Sequence, residues 1–156
     1  MKTLPVNDAN ALVYNWDNKL RSAQKGTATM SVRYDPAGNR IWKQSTVSGQ
    51  TTTRKYIADV VGDLPVILME LDPANSAIKK TYIYANSQIL AQHDGSHTAN
   101  RYFYLHDRLG SVRAIINQSG SVVNHYTYNP FGESLETGGI QCNVNRFRFA
   151  GHNGLK

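Results

Sequence analysis

The chain has 156 residues, a mass of 17.4 kDa and a formal net charge of +6 at neutral pH. That length suits one domain, or a section of a larger one. Apolar residues make up 40% and charged residues only 18%. This excludes wholesale disorder, because disordered chains are apolar-poor and usually charge-rich.

No run nears the roughly 18 apolar residues of a transmembrane helix. The longest apolar stretch, Leu64 to Leu71, carries Pro65 and Glu70. The N-terminus, Met1-Lys2-Thr3-Leu4-Pro5-Val6-Asn7-Asp8, lacks the apolar core of a signal peptide. Any export address is therefore expected outside this chain. The single cysteine, Cys142, excludes an internal disulfide framework and a cysteine-built zinc site. The basic balance permits a polyanionic partner without requiring one.

In chain order, Ala9 to Tyr14 comes first and is a weak helix candidate. A turn signal follows at Asn15-Trp16-Asp17-Asn18. Ser31-Val32-Arg33-Tyr34 alternates polar and apolar, as a strand with one wet face does. It runs into Asp35-Pro36-Ala37-Gly38. Pro36 presets φ for the second position of a type I turn, and Asp35 can accept a backbone N–H. Gly38 can take the left-handed conformation that returns the chain as a hairpin.

Turn signals at Ser48-Gly49, Gly62-Asp63 and Asp72-Pro73-Ala74-Asn75 come next. The last two bracket Leu64 to Leu71, the second helix candidate. Ala85-Asn86-Ser87 and Asp94-Gly95 are further turns. Arg101 to Leu105 is aromatic nearly throughout, which suits a strand contacted on both faces. After Asp107-Arg108-Leu109-Gly110, the segments Val112 to Ile116 and Val122 to Tyr128 flank Gln118-Ser119-Gly120 as one hairpin. Asn129-Pro130-Phe131-Gly132 repeats the turn logic of Asp35 with Asn for Asp. Beyond Gly138-Gly139, Arg146-Phe147-Arg148-Phe149 alternates again and reads as a strand. Turns spaced this regularly are the signature of many short strands.

A repeat underlies the spacing. Tyr14, Tyr34, Tyr56, Tyr82, Tyr104, Tyr126 and Phe147 lie 20, 22, 26, 22, 22 and 21 residues apart. About twenty residues makes two strands and two turns, so each repeat reads as one hairpin. The expected fold is all-β: stacked antiparallel β-hairpins, each burying its aromatic against the next.

At these residues the sequence resembles the Rhs (rearrangement-hotspot) or YD-repeat family. Tyr34-Asp35-Pro36-Ala37-Gly38-Asn39-Arg40 is similar to its YDxxGNR unit. Tyr104-Leu105-His106-Asp107-Arg108-Leu109-Gly110-Ser111-Val112-Arg113 is similar to its Y-x-x-D-x-L-G-S-x-R. Gly120-Ser121-Val122-Val123, Tyr126-Thr127-Tyr128-Asn129-Pro130-Phe131-Gly132-Glu133 and Arg146-Phe147-Arg148-Phe149-Ala150-Gly151 continue the pattern. This ordered set resembles the Rhs repeat-associated core. Residues 1–100 read as degenerate YD-type hairpins and 101–156 as core-like hairpins of one continuous β structure.

The resemblance implies a spiral of hairpins that winds into a partial β-shell. Such shells encapsulate a toxic C-terminal domain or present surface modules. It implies a structural scaffold that is not an enzyme and needs no cofactor. The residues carrying the repeat are Tyr34, Asp35, Pro36, Gly38, Tyr104, Asp107, Gly110, Tyr126, Pro130 and Gly132. Expected partners are other copies of the chain or the rest of a longer YD-repeat chain, with toxin cargo or a glycan. Export or a cell-surface location, as part of a larger protein, follows from the resemblance alone. The self-cleavage site of toxin-bearing members lies beyond the core, so no catalytic residue transfers. The Asp-Pro pairs Asp35-Pro36 and Asp72-Pro73 read as turns.

Candidate chemistry is sparse. His93-Asp94-Gly95-Ser96-His97 has a metal-site inventory but reads as a turn. His106 and Asp107 are adjacent, so in a strand they point to opposite faces and do not converge. Cys142 has no nucleophile signature around it. Arg146 and Arg148, interleaved with Phe147 and Phe149, are the candidates for polyanion or glycan contact. Edge protection is the favoured reading of these arginines, and nucleic acid is not the expected partner. A carbohydrate- or polyanion-binding repeat module is the alternative to the scaffold.

Overall fold

The computed structural model describes residues 2–6, 10–61, 65–86, 88–95, 100–139 and 147. Among them all regular structure is strand: β1 (Lys2–Val6), β2 (Asn10–Tyr14), β3 (Leu20–Lys25), β4 (Ala28–Tyr34), β5 (Arg40–Val47), β6 (Gln50–Asp59), β7 (Val66–Leu71), β8 (Ile78–Ala85), β9 (Gln88–Asp94), β10 (Arg101–His106), β11 (Val112–Asn117), β12 (Val122–Tyr128) and β13 (Ser134–Gly139). The fold is all-β and antiparallel, as the turn spacing and the resemblance imply.

Both helix candidates are strands. Of the first, Asn10–Tyr14 forms β2, and of the second, Val66–Leu71 forms β7; Ala9 and Leu64 lie outside the described residues. Segments this short cannot sustain an isolated helix, because a helical nucleus costs more than so few bonds return. A strand instead finds partners beside it: Leu12 sits opposite Leu4 of β1 and Ala23 of β3.

The chain forms two compact units, residues 1–58 with 70–77, and residues 59–69 with 78–156. In the first, β1 to β6 pair in sequence order with no crossover. Two-residue turns at Gly26-Thr27 and Ser48-Gly49 alternate with five-residue turns at 15–19 and 35–39. Ser48 and Gly49 have φ of 51° and 77°, so both central residues are left-handed. That conformation matches the strand twist of a tight hairpin.

The second unit pairs β8 to β13 in the same manner. Its core face carries Tyr82, Tyr104, Ile115 and Tyr126, all buried. Phe147 lies on this face. Its ring stands edge-on to Tyr82, Tyr84 and Tyr104, at 5.4, 6.1 and 5.9 Å between centroids. Edge-to-face pairs at these distances are favourable beyond their buried area. Phe147 is not in a strand, so the Arg146–Phe149 strand expectation is not met at this residue. Its ring fills the core instead. Arg146, Arg148 and Phe149 lie outside the described residues.

The structure also resolves the tyrosine spacing into two positions. Tyr14, Tyr34, His106 and Tyr128 stand immediately before a five-residue turn. Leu12, Val32, Tyr104 and Tyr126 stand two residues earlier, on the same face. Val32, not Tyr34, is the fully buried member of its hairpin, at 4% exposure. The aromatic spacing alone joined Tyr14 and Tyr34 of one position to Tyr104 and Tyr126 of the other.

Candidate functional site

The repeated turn is built by one side chain. In Asp35–Asn39, the Asp35 N–H donates to the Asn39 carbonyl at 2.9 Å, and the Gly38 N–H donates to the Asp35 carbonyl at 2.9 Å. The Asp35 carboxylate accepts the Asn39 N–H at 2.8 Å and the Asn39 side-chain amide at 3.0 Å. Gly38 has φ of 87°. This left-handed position costs a residue with a Cβ about 1–2 kcal/mol. Asp107–Ser111, Asn117–Ser121 and Asn129–Glu133 repeat the same bonds, with Gly110, Gly120 and Gly132 at positive φ. Pro36 and Pro130 occupy the second position, exposed, where no N–H is needed.

Asn117 opens its turn one residue before the Gln118-Ser119-Gly120 signal. Its signal is the spacing itself, an Asp or Asn three residues before a glycine. In Asn15–Lys19 the left-handed residue is Asn18, at φ 60°, and Asn15 Oδ1 accepts the Lys19 N–H. Asp72-Pro73 opens a longer turn, with Ser76 left-handed at φ 55° and bonded to the Asp72 carbonyl.

The carboxyl of Asp35 is held below its ordinary value. The side chain of Asn39 is the main cause, and backbone N–H groups of the turn add to it, against an opposing effect of burial. A lowered folded value means stability is present above the unfolded value of about 4 and is lost as pH falls through the folded one. Asn can accept the same bonds without titrating, as Asn129 does. The stability gap between wild type and Asp35→Asn should therefore narrow as pH falls below about 4. Urea unfolding at several pH values measures it, and a gap independent of pH would refute it.

The tyrosine before the turn ties two strands. Tyr34 Oη donates to the Leu20 carbonyl at 2.8 Å, Tyr84 Oη to that of Ile67 at 2.9 Å, and Tyr128 Oη to that of Val112 at 3.0 Å. His106 holds this position in β10. Its Nε2 is buried without a hydrogen-bond partner. Burial pushes its pKa down, against the opposing charge of Asp107, so the neutral ring is favoured. Its neighbour Asp107 accepts the backbone N–H groups of Leu109 and Ser111. The His106-Asp107 pair is thus divided between core and turn.

In the core, Tyr104 Oη donates to Gln92 Oε1 at 2.6 Å, and Gln92 Nε2 donates to Asp94, which pairs with Lys80 at 3.0 Å. Asp94, the carboxylate of the metal candidate, is therefore already engaged. Ser96 and His97 of that candidate, and Cys142, lie outside the described residues. Among the described residues no group of three His, Cys, Asp or Glu side chains could hold a metal. Tyr126 Oη accepts from the Asn124 amide at 2.9 Å.

Cations stack on rings across the first unit: Arg33 over Trp42 at 4.8 Å and Arg40 over Tyr56 at 5.4 Å. Arg113 does so over Tyr128, at 5.8 Å, in the second. Arg146 and Arg148, the sequence candidates for polyanion contact, lie outside the described residues. No helix among the described residues is long and apolar enough to cross a membrane.

The arrangement resembles known proteins along most of its length. The tRNA3(Ser)-specific nuclease WapA of Bacillus spizizenii is 32% identical over 145 residues, a match that takes in 89% of this chain and 6% of that protein. The tRNA nuclease WapA of Bacillus subtilis is 31% identical over the same shares. The chain thus spans a small fraction of the relatives it matches. Among solved structures, the Photorhabdus luminescens Tc holotoxin pore shares the fold at a TM-score of 0.63 and 15% identity. That match covers 94% of this chain and 8% of the other. The TcdB2-TccC3 crystal structure does so at 0.59 and 13%, covering 92% and 8%. The model of one family, the teneurin YD-shell, matches residues 4–152. With its repeated hairpins, tyrosine ties and Asx-capped turns, this chain belongs to the teneurin YD-shell family, the shell fold shared by Rhs and YD-repeat proteins.

Proposed function

We propose that this chain is a section of shell wall, without catalysis of its own, in a longer exported or cell-surface protein that encloses or presents a toxin module. One observation carries the reading. A core residue, a spacer, an aromatic ring and an Asx-x-x-Gly turn recur at Asp35, Asp107 and Asn129, in strands that pair in sequence order with no crossover. Such a wall extends by adding hairpins. The match to proteins named as nucleases, of whose length it spans 6%, supports a toxic activity housed in another part of the longer protein. The repeat residues Tyr34, Asp35, Pro36, Gly38, Tyr104, Asp107, Gly110, Tyr126, Pro130 and Gly132 then serve as structural parts, not as reacting groups. Ile83, Phe103 and Leu105, on one face of the second unit, are each more than 40% exposed. That face supports contact with the rest of a longer chain or with another copy.

An antibody against this chain tests the reading in the producing cells. It should detect a polypeptide far larger than 17.4 kDa. Part of that polypeptide should resist protease until denaturant opens the shell. A band at the size of this chain, or equal digestion of every segment, overturns it.

A second reading, a carbohydrate- or polyanion-binding module, is favoured by a polar groove in the first unit. Ser22, Ser31, Arg33, Trp42 and Gln44 line it, an inventory of hydroxyl, amide, cation and ring. Salt-sensitive retention of the chain on heparin, weakened by Arg33→Ala, supports this reading, and passage without retention removes it.

A further inference from the structure

The two units carry equivalent rows of residues on the core face, and among the described residues only the second unit's row has a ring packed over it. In the second unit, Tyr104, Ile115 and Asn124 face one another across β10, β11 and β12. They are 5%, 2% and 0% exposed, and Phe147 packs on Tyr104. Counted from the five-residue turns, their counterparts are Leu12, Ala23 and Met30 across β2, β3 and β4. Leu12 is 37% exposed. Leu stands for Tyr and Ala for Ile, so the first row is smaller as well as barer.

The result is a groove of about 640 Å³ around Leu12, Ala23, Met30 and Val47. That lies within the roughly 300–1,000 Å³ of ligand pockets. Lys25, an exposed residue, lines it too, and among the described residues no carboxylate does. An apolar floor with a lysine beside it favours an apolar group on an anionic carrier.

We propose that this groove docks an extended acidic polypeptide segment that inserts one large aromatic side chain over Ala23 and Met30. The aromatic would do for the first unit what Phe147 does for the second. Its acidic flanks would face Lys25. The proposal concerns the first unit by itself and does not depend on the shell reading.

The probe is the peptide acetyl-Asp-Glu-Phe-Asp-Glu-amide, added to the whole chain labelled with ¹³C at its methionine methyls. Saturable movement of the Met30 signal is expected, with Met69 unmoved. Replacing Phe by Ser, or the acids by Lys, should weaken binding at least tenfold. Ala23→Trp should abolish it by filling the groove. Lys25→Glu, at an exposed position, should weaken it several-fold. A Met30 signal that stays still, or that moves equally with the Ser peptide, overturns the proposal. So does binding unchanged by Lys25→Glu.

Discussion

Tyr104→Ala should destabilise the chain by about 4 kcal/mol, the usual cost of removing a buried aromatic. The ring is 5% exposed and stands against Phe147. Its hydroxyl also bonds Gln92, itself buried. Truncation therefore leaves a cavity and a buried amide oxygen without its donor, and each has its own cost. Tyr104→Phe separates the two effects. It keeps the ring and should cost only about 1–3 kcal/mol. Urea unfolding, followed by tryptophan fluorescence and circular dichroism, measures both. Equal losses for the two variants would show that the hydroxyl, not the packed ring, carries the stability. A loss below about 1 kcal/mol for Tyr104→Ala would show that the site is not a core.

Gly139→Ala should cost about 3 kcal/mol and loosen β13 from β12. Gly139 has φ of 107°, where side chains are strained. A Cβ there would press on the Val123 carbonyl oxygen, and on Asn124 at 2.7 Å. Both are β12 backbone or buried side chain, so neither yields cheaply. Gly49→Ala is the control. Its φ is 77°, but no atom lies within 4 Å of the added Cβ. It should cost only the conformational penalty of about 1 kcal/mol. Hydrogen exchange then locates the effect. The β12 and β13 amides should lose protection in Gly139→Ala, and an even loss across both units would contradict the local clash.

Two layers make up one design. The turns act locally, through a side chain capping its own backbone, and they set where each strand ends. The aromatic face acts across strands and sets what each hairpin packs on. His106 shows the layers in conflict: the position that carries a tying tyrosine in three other hairpins holds a ring whose Nε2 finds no partner. A shell wall tolerates such a local loss because each hairpin is held mainly by its neighbours.

Much of this was legible beforehand, because turns are local. Asp35 and Gly38, or Asn129 and Gly132, carry within four residues everything their turn requires: an acceptor, and a residue free to take positive φ. Strand identity and the twenty-residue period follow from the same local chemistry. Only the tertiary structure decided which of two same-face positions is the core, since Val32 and Tyr34 differ in burial through their neighbours and not through their own residue type. It also made strands of Asn10–Tyr14 and Val66–Leu71 within the two helix candidates, because a ladder supplies partners that a short helix lacks. And it laid Phe147 on Tyr82 and Tyr104, more than 40 residues away in sequence. No pattern of nearby residues encodes a contact at that separation. It exists because an apolar ring and an uncovered apolar face both lose contact with water when they meet.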